Sequence, residues 1–320
     1  MINKVHLGDW TTNQLKDKSV QLIIADPPYF EVKGEFDFVW DSFDDYLKDV
    51  EKWAIECKRV LADNGTLFWY GDAKKIAYTQ IIFDKYFNLL NNIVWENTNE
   101  CKQQMRYNNV LRSFAPCTER ILMYSNDKYN LTKCVYHIRD YIREEIIKSK
   151  GKIILKQVNK ALGTATNGGG VASASLSLDK SEPTMITKEM YIKLQKWCEP
   201  YLRKEYEELR KEYEELRKEY EELRRPFNNN LHLGDVIRLP NYERSKYKHD
   251  TIKPEKLTRI LLQTCSRKGD LVLVPFAGSG TECAMAAKEG REFIGFDIES
   301  KYVDIANARC SEHLKQTSLF

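Results

Sequence analysis

Two hydrophobic periodicities alternate along the first 125 residues. Short apolar runs rich in β-branched and aromatic residues, at 2–7, 21–25, 66–70, 92–96 and 120–124, predict strands. Between them, residues 46–61 set Leu47, Val50, Trp53, Ala54 and Cys57 on one helical face, with Asn64-Gly65 as the stop, and 74–86 predict a second helix. The same alternation returns at the C-terminal end, with strands at 271–274 and 293–296 around a helix at 282–289. Strands alternating with helices predict a mostly parallel sheet, here assembled from two halves distant in sequence, 1–125 and 241–320.

Residues 126–240 break the pattern. Helices are expected at 141–148, 153–162, 171–178 and 187–198, with a glycine-rich run at 163–170. Helix, turn and helix with basic flanks suits a DNA groove. A seven-residue repeat follows, in which Tyr206, Leu209, Tyr213, Leu216, Tyr220 and Leu223 alternate at spacings of three and four. Pro200 and Pro226 bracket it, so one helix over 200–225 is expected. The favoured reading is a solvated helix lengthened by tandem duplication. The sharper alternative is the seam of a homodimer, or a strut for a recognition module.

Charge adds less than its distribution does. The net charge is only +3, yet 101–160 holds 13 Lys/Arg against 5 Asp/Glu. Such a stretch can neutralise phosphates, and Lys148, Lys152 and Lys156 are the candidate DNA contacts. The eight cysteines show no Cys-x-x-Cys pair, which argues against a zinc cluster and predicts no metal. They suit reduced thiols of a cytoplasmic protein. No apolar run reaches ~18 residues, so no membrane span is expected.

Two motifs carry the chemistry. The first is Asp26-Pro27-Pro28-Tyr29, at the end of the run 20–25. The exocyclic nitrogen of a nucleobase is a poor nucleophile because its lone pair is delocalised into the ring. A carboxylate and a backbone carbonyl accepting its two N–H bonds favour tetrahedral geometry and free the lone pair. Asp26 supplies the carboxylate, Pro27 and Pro28 stiffen a turn that aims a carbonyl, and the face of Tyr29 can stack on an extruded base. The second motif is Pro275-Phe276-Ala277-Gly278-Ser279-Gly280-Thr281, after the strand 271–274 and ahead of a helix. Glycines 278 and 280 are read as admitting close approach of a ligand, and Asp297, at the end of the next strand, suits ribose hydroxyls.

With both motifs in this order, the chain resembles the β-class DNA amino-methyltransferases, most nearly the adenine-N6 type. His249-Asp250-Thr251-Ile252-Lys253-Pro254 resembles the element opening the helix that closes over the cofactor's methionine part, and His6-Leu7-Gly8-Asp9 resembles the strand end reaching its adenine. The resemblance covers 1–125 and about 226–310, and departs at Val274, Asp250 and Ile252; the family carries an aspartate at the position of Val274. It implies an α/β, Rossmann-like sheet with an inserted, mainly helical target-recognition domain at 126–240. It also implies S-adenosylmethionine as cofactor, held by Asp9, Thr251, Lys253, residues 275–281 and Asp297. Double-stranded DNA is the implied substrate, methylated at adenine N6, and a restriction endonuclease encoded elsewhere is a partner the family admits. Cytosine-N4 methylation is the nearest alternative, and a non-catalytic DNA-binding protein of the same fold a further one. RNA or protein-glutamine methylation fits less well, since those families carry Asn-Pro-Pro-Tyr and place the glycine turn first.

Overall fold

The computed structural model describes residues 2–32, 37, 39–99, 113–114, 116–126, 132–167, 169–179, 184–242 and 252–317. Contacts divide the chain into two compact units, 1–128 with 225–320, and 129–224.

The first unit is built on eight described strands: β1 (Lys4–Leu7), β2 (Val20–Ala25), β3 (Leu61–Asp72), β4 (Asn88–Asn97), β5 (Thr118–Ser125), β6 (Val236–Leu239), β7 (Leu271–Val274) and β8 (Glu292–Asp297). They lie in the order β1-β8-β7-β2-β3-β5-β4-β6. Every pairing is parallel except those of β5, which runs antiparallel to both β3 and β4. Burial of both faces explains why the central strands β2, β3, β5 and β7 read as apolar runs. Leu22, Ile24, Phe68, Tyr70, Ile121 and Met123 face one core, while Ile23, Leu67, Trp69, Leu122 and Tyr124 face the other. The helices α1 (Phe43–Val60) and α2 (Ile76–Phe83) pack on the second face. On the first face lie the helices after the insertion, α8 (Glu255–Cys265), α9 (Thr281–Lys288) and α10 (Ser300–Thr317).

Two expected boundaries move. Asn64-Gly65 does not separate α1 from a strand at 66; β3 begins at Leu61, directly after Val60. Its pairing with β2 jumps from Val20↔Leu61 to Leu22↔Thr66, so residues 62–65 form a bulge. A Cβ on Gly65 would stand 2.6 Å from Leu61 Cδ1, which accounts for the glycine by close packing rather than helix termination. The sheet also resumes before 241. Val236 pairs with Val94, and Trp95 Nε1 donates to the Leu239 carbonyl at 3.1 Å, so residues 236–239 belong to the first unit.

The second unit contains α3 (Thr132–Lys150), α4 (Leu155–Leu162), α5 (Val171–Leu176), α6 (Lys188–Cys198) and α7 (Tyr206–Leu223) around one apolar core. Ile138, Ile142 and Ile146 of α3, Val158 and Leu162 of α4, and Tyr191 and Leu194 of α6 are buried in it. Gly163, in the left-handed conformation at φ 73°, caps α4. The repeat helix starts at Tyr206 rather than 200, so Pro200 lies outside its first turn. It is not solvated along its whole length. Leu209 is 2% exposed and packs with Tyr206 and Tyr213 against this core, which occupies the first half of the stripe, whereas Leu223 is 44% exposed. Leu209→Ala should therefore cost ~2–5 kcal/mol of stability. Leu223→Ala should cost under ~0.5 kcal/mol, both read from chemical denaturation.

Candidate active site

The parallel neighbours β2 and β7 place the two motifs side by side, since Leu22 pairs with Val272 and Ile23 with Leu273. Residues 26–29 leave the carboxyl end of β2, and 275–281 that of β7. Ligands of open α/β sheets bind at such carboxyl ends. A cleft of about 810 Å³ opens there, lined by Asp9, residues 26–29, Glu119, Lys253, residues 275–279, Thr281, Glu282 and Asp297. That volume is within the range of small-molecule sites.

At the centre, Lys253 is 5% exposed. Its Nζ lies 2.9 Å from Asp26 Oδ1 and 2.9 Å from Glu119 Oε2. The Tyr29 hydroxyl donates to the same Asp26 Oδ1 at 2.8 Å, and stands 3.3 Å from Glu119 Oε2. Asp26 Oδ1 thus takes two donors, while Oδ2 has no hydrogen-bond partner among the described residues. Burial pushes the Asp26 carboxyl above its ordinary value, with the Lys253 charge opposing. Burial would lower the Lys253 ammonium, but the Asp26 and Glu119 charges outweigh it and hold it above its usual range. The buried cation thus holds the carboxyl in place and opposes the uptake of a proton that burial favours. Residue 252 anchors this lysine's segment, because Asn241 Nδ2 donates to its carbonyl at 2.6 Å.

The turn after β7 is held from both sides. Gly278, at φ 49°, donates its N–H to Asp297 Oδ2 at 2.8 Å, so turn and strand end are tied together. Arg309 Nη1 reaches the Ser279 carbonyl at 2.8 Å and the Thr281 hydroxyl at 3.2 Å. Gly280 has a different role from the one expected: it does not line the cleft, and a Cβ there would meet Ala306 Cβ at 2.5 Å. Close packing of the turn on α10 requires that glycine. Phe276 lines the cleft edge-on to Trp10, Trp53 and Trp69. Asp9 caps the short turn 10–12, accepting from Thr11 N at 2.9 Å.

The structure brings together Asp9, Asp26, Pro27, Pro28, Tyr29, Lys253, residues 275–279, Thr281 and Asp297. Thr251 lies outside the described residues, as do His249 and Asp250 and positions 101–112 of the basic stretch. Lys148, Lys152 and Lys156 belong to the second unit and are exposed; Lys148 Nζ pairs with Glu145 at 2.7 Å. Sequence reading missed Glu119 and Glu282. Glu119 meets Lys253 across 134 positions of chain, so no local spacing marks it. Glu282, after the glycine turn, has the look of an ordinary acidic residue in a first helical turn.

Charge decides which cofactor fits. Among the described residues, besides Asp26, Glu119, Glu282, Asp9 and Asp297, the lining includes Asp37, Asp49, Asp72 and Glu299, against Lys52 and Lys253 as cations. The pyrophosphate of a dinucleotide would face a negative wall, whereas a sulfonium nucleoside with an ammonium group is favoured there. The residues present therefore fit S-adenosylmethionine.

A mostly parallel sheet with helices on both faces and a glycine turn at a strand's carboxyl end is the architecture of the doubly wound α/β proteins. The chain belongs to the DNA methylase family, whose model matches residues 20–308. It is 26% identical to the type II methyltransferase M2.DpnII of Streptococcus pneumoniae, over 93% of this chain and 84% of that protein. It is also 26% identical to the DNA adenine methyltransferase YhdJ of Escherichia coli K12, over 91% and 76%. Among solved structures, the cytosine-N4-specific PvuII DNA methyltransferase superposes with a TM-score of 0.53 at 11% identity, over 98% and 91% of the two chains. The M1.HpyAVI–SAM complex follows with 0.51 at 15% identity, over 96% and 98%. These two likenesses concern the fold.

The hydroxyl contacts of Tyr29 qualify the stacking role expected for its ring. Tyr29→Phe removes a donor from Asp26 and should slow methyl transfer several-fold. Tyr29→Ala also removes the stacking face, worth ~1–3 kcal/mol, and should slow it by a further ~10–100-fold. Single-turnover rates check both, and equal effects of Phe and Ala would rule out stacking.

Proposed function

We propose that this chain transfers a methyl group from S-adenosylmethionine to adenine N6 of a base extruded from double-stranded DNA. The observation that carries the reading is the half-occupied Asp26 carboxylate: Oδ1 is engaged by Tyr29 and Lys253, and Oδ2 has no partner among the described residues at a cleft of nucleoside size. An exocyclic amino group can donate to that oxygen. The carbonyl that the turn 26–28 aims can take its second N–H, leaving the lone pair directed away from the ring. The cofactor, when bound, supplies a methyl group on sulfonium, an in-line leaving group that needs no covalent enzyme intermediate. Gly278 and Asp297 hold the nucleoside part, and the Tyr29 ring holds the base by stacking. Preorganised acceptors of this kind act where positive charge develops on the nitrogen.

Adenine rather than cytosine is supported by the resemblance to the adenine-N6 type and by the adenine methyltransferase among the relatives. The type II relative supports a modification role beside a restriction endonuclease. Incubation with tritiated S-adenosylmethionine and unmodified genomic DNA, followed by nucleoside analysis, tests the reading. Labelled N6-methyladenine is expected. Labelled N4-methylcytosine would overturn the base assignment, and DNA binding without label would make the chain a non-catalytic binder.

The second unit, 129–224, is proposed as the target-recognition module. Reversing charge at Lys148, Lys152 and Lys156 together should weaken binding to all DNA sequences and reduce the salt slope by roughly two, somewhat less than three full phosphate contacts because Glu145 already holds Lys148. Fluorescence titrations across salt concentrations check this; an unchanged slope would move the interface elsewhere.

A further inference from the structure

Glu282 stands at the start of α9, is 5% exposed, and lines the cleft beside Asp26. Its Oε1 accepts a hydrogen bond from the Thr258 hydroxyl of α8 at 3.3 Å, a neutral partner. It forms no ion pair among the described residues, and the cations around it are engaged elsewhere. Lys253 is held by Asp26 and Glu119, and Arg309 of α10 by Glu255 at 3.3 Å and the turn 279–281. On β3 behind it, the Tyr70 hydroxyl is buried with no hydrogen-bond partner among the described residues. On its own helix the nearest titratable group is the buried Cys283 thiol. A buried carboxylate without a cation is costly unless it takes up a proton or receives a cation from outside.

We propose that Glu282 is the counter-ion for the positively charged amino-acid end of the methyl donor. The inference rests on the cofactor assignment made above and extends it to a residue outside both motifs. Burial, and after it the charge of Asp26, raise the Glu282 carboxyl to about 7, with Lys253 and Arg309 acting in the opposite direction. Below that pH the carboxyl holds a proton; the arriving ammonium takes the proton's place, and the proton leaves to solvent. No bond to the cofactor is made or broken. Cofactor affinity therefore scales with the ionised fraction of Glu282, which rises with pH through this range.

Calorimetric titration of the full chain at pH 5.5 and 7.0 tests this with three ligands, in wild type and Glu282→Gln. S-adenosylmethionine and S-adenosylhomocysteine both carry the amino-acid ammonium; 5′-methylthioadenosine lacks that end altogether. In wild type, Kd for the first two should fall roughly fifteenfold between pH 5.5 and 7.0, the change expected for a carboxyl titrating near 7. In Glu282→Gln that fall should vanish, and binding at pH 7.0 should be weaker. Binding of 5′-methylthioadenosine should be unaffected by pH or by the substitution, which also reports that the variant is folded. Wild type alone provides a second measure: titrations at pH 6 in buffers of different ionisation enthalpy should show close to one proton released per cofactor. Persistence of the pH dependence in Glu282→Gln, a flat response with S-adenosylhomocysteine, the same dependence with 5′-methylthioadenosine, or no proton release would each overturn the proposal. Failure of S-adenosylmethionine to bind at any pH would instead remove the cofactor assignment, and this inference with it.

Discussion

Asp26→Asn is expected to lower the methyl-transfer rate by about 10³-fold, comparable to removing one preorganised group that stabilises charge in other transition states. The asparagine keeps the side chain's shape, so the loss isolates the charge and the second acceptor. DNA and cofactor affinities should change little, because the carboxylate acts chiefly once positive charge has developed on the amino nitrogen. The fold should survive as well, since Lys253 retains Glu119 at 2.9 Å as a partner. Asp26→Ala should be equally inactive. Single-turnover kinetics with saturating cofactor and DNA give the rate, and equilibrium titrations give the affinities. Residual transfer within tenfold of wild type would remove Asp26 from the chemistry. A loss confined to KM would make it a binding group.

What could be read from the sequence follows from which contacts are local. The centre of the sheet was readable because both of its faces are buried there, so its strands carry short apolar runs such as 22–25 and 271–274. The two motifs were readable because each is a contiguous turn at a strand end. Gly65 was misread because the same residue type serves helix termination and close packing, and only the bulge against β2 distinguishes them. Gly280 was misread similarly: its neighbour is Ala306, 26 positions on, not a ligand. The repeat helix misled in another way. Its charged faces are those of a solvated helix, and nothing within the repeat tells which copy of the Tyr/Leu stripe meets the core around Ile142 and Tyr191. Lys253 was found through resemblance, but its two carboxylate partners are contributed by the turn after β2 and by β5, and that convergence exists only after the sheet has formed. The antiparallel insertion of β5, which delivers Glu119, leaves no mark on the strand's own sequence.

Lys253→Met should impair methyl transfer at neutral pH and displace the acid limb of its pH profile toward higher pH. In wild type the ammonium lies 2.9 Å from one oxygen of each of Asp26 and Glu119, and its charge opposes the burial that raises the Asp26 carboxyl. Methionine fills similar volume without charge, so two carboxylates are left facing each other with no cation between them. Like charges in a shared, partly desolvated site cannot both stay ionised at low cost, and one takes up a proton. The direction follows from the role of Asp26. Transfer needs its ionised form, which is lost as pH falls through its folded-state value; raising that value moves the loss to higher pH. Activity of the variant relative to wild type should therefore be lowest in acid and recover toward alkaline pH. Adding Glu119→Gln to Lys253→Met removes the competing charge and should restore part of the neutral-pH rate, although the double variant differs from wild type at two positions. That rescue separates electrostatics from packing, because a lysine acting only as filler would leave the second substitution neutral or harmful. An acid limb unchanged by Lys253→Met, measured over several pH values with saturating substrates, would show that the carboxylates do not depend on the lysine. Rescue without any shift of the limb would locate the effect in geometry rather than in charge.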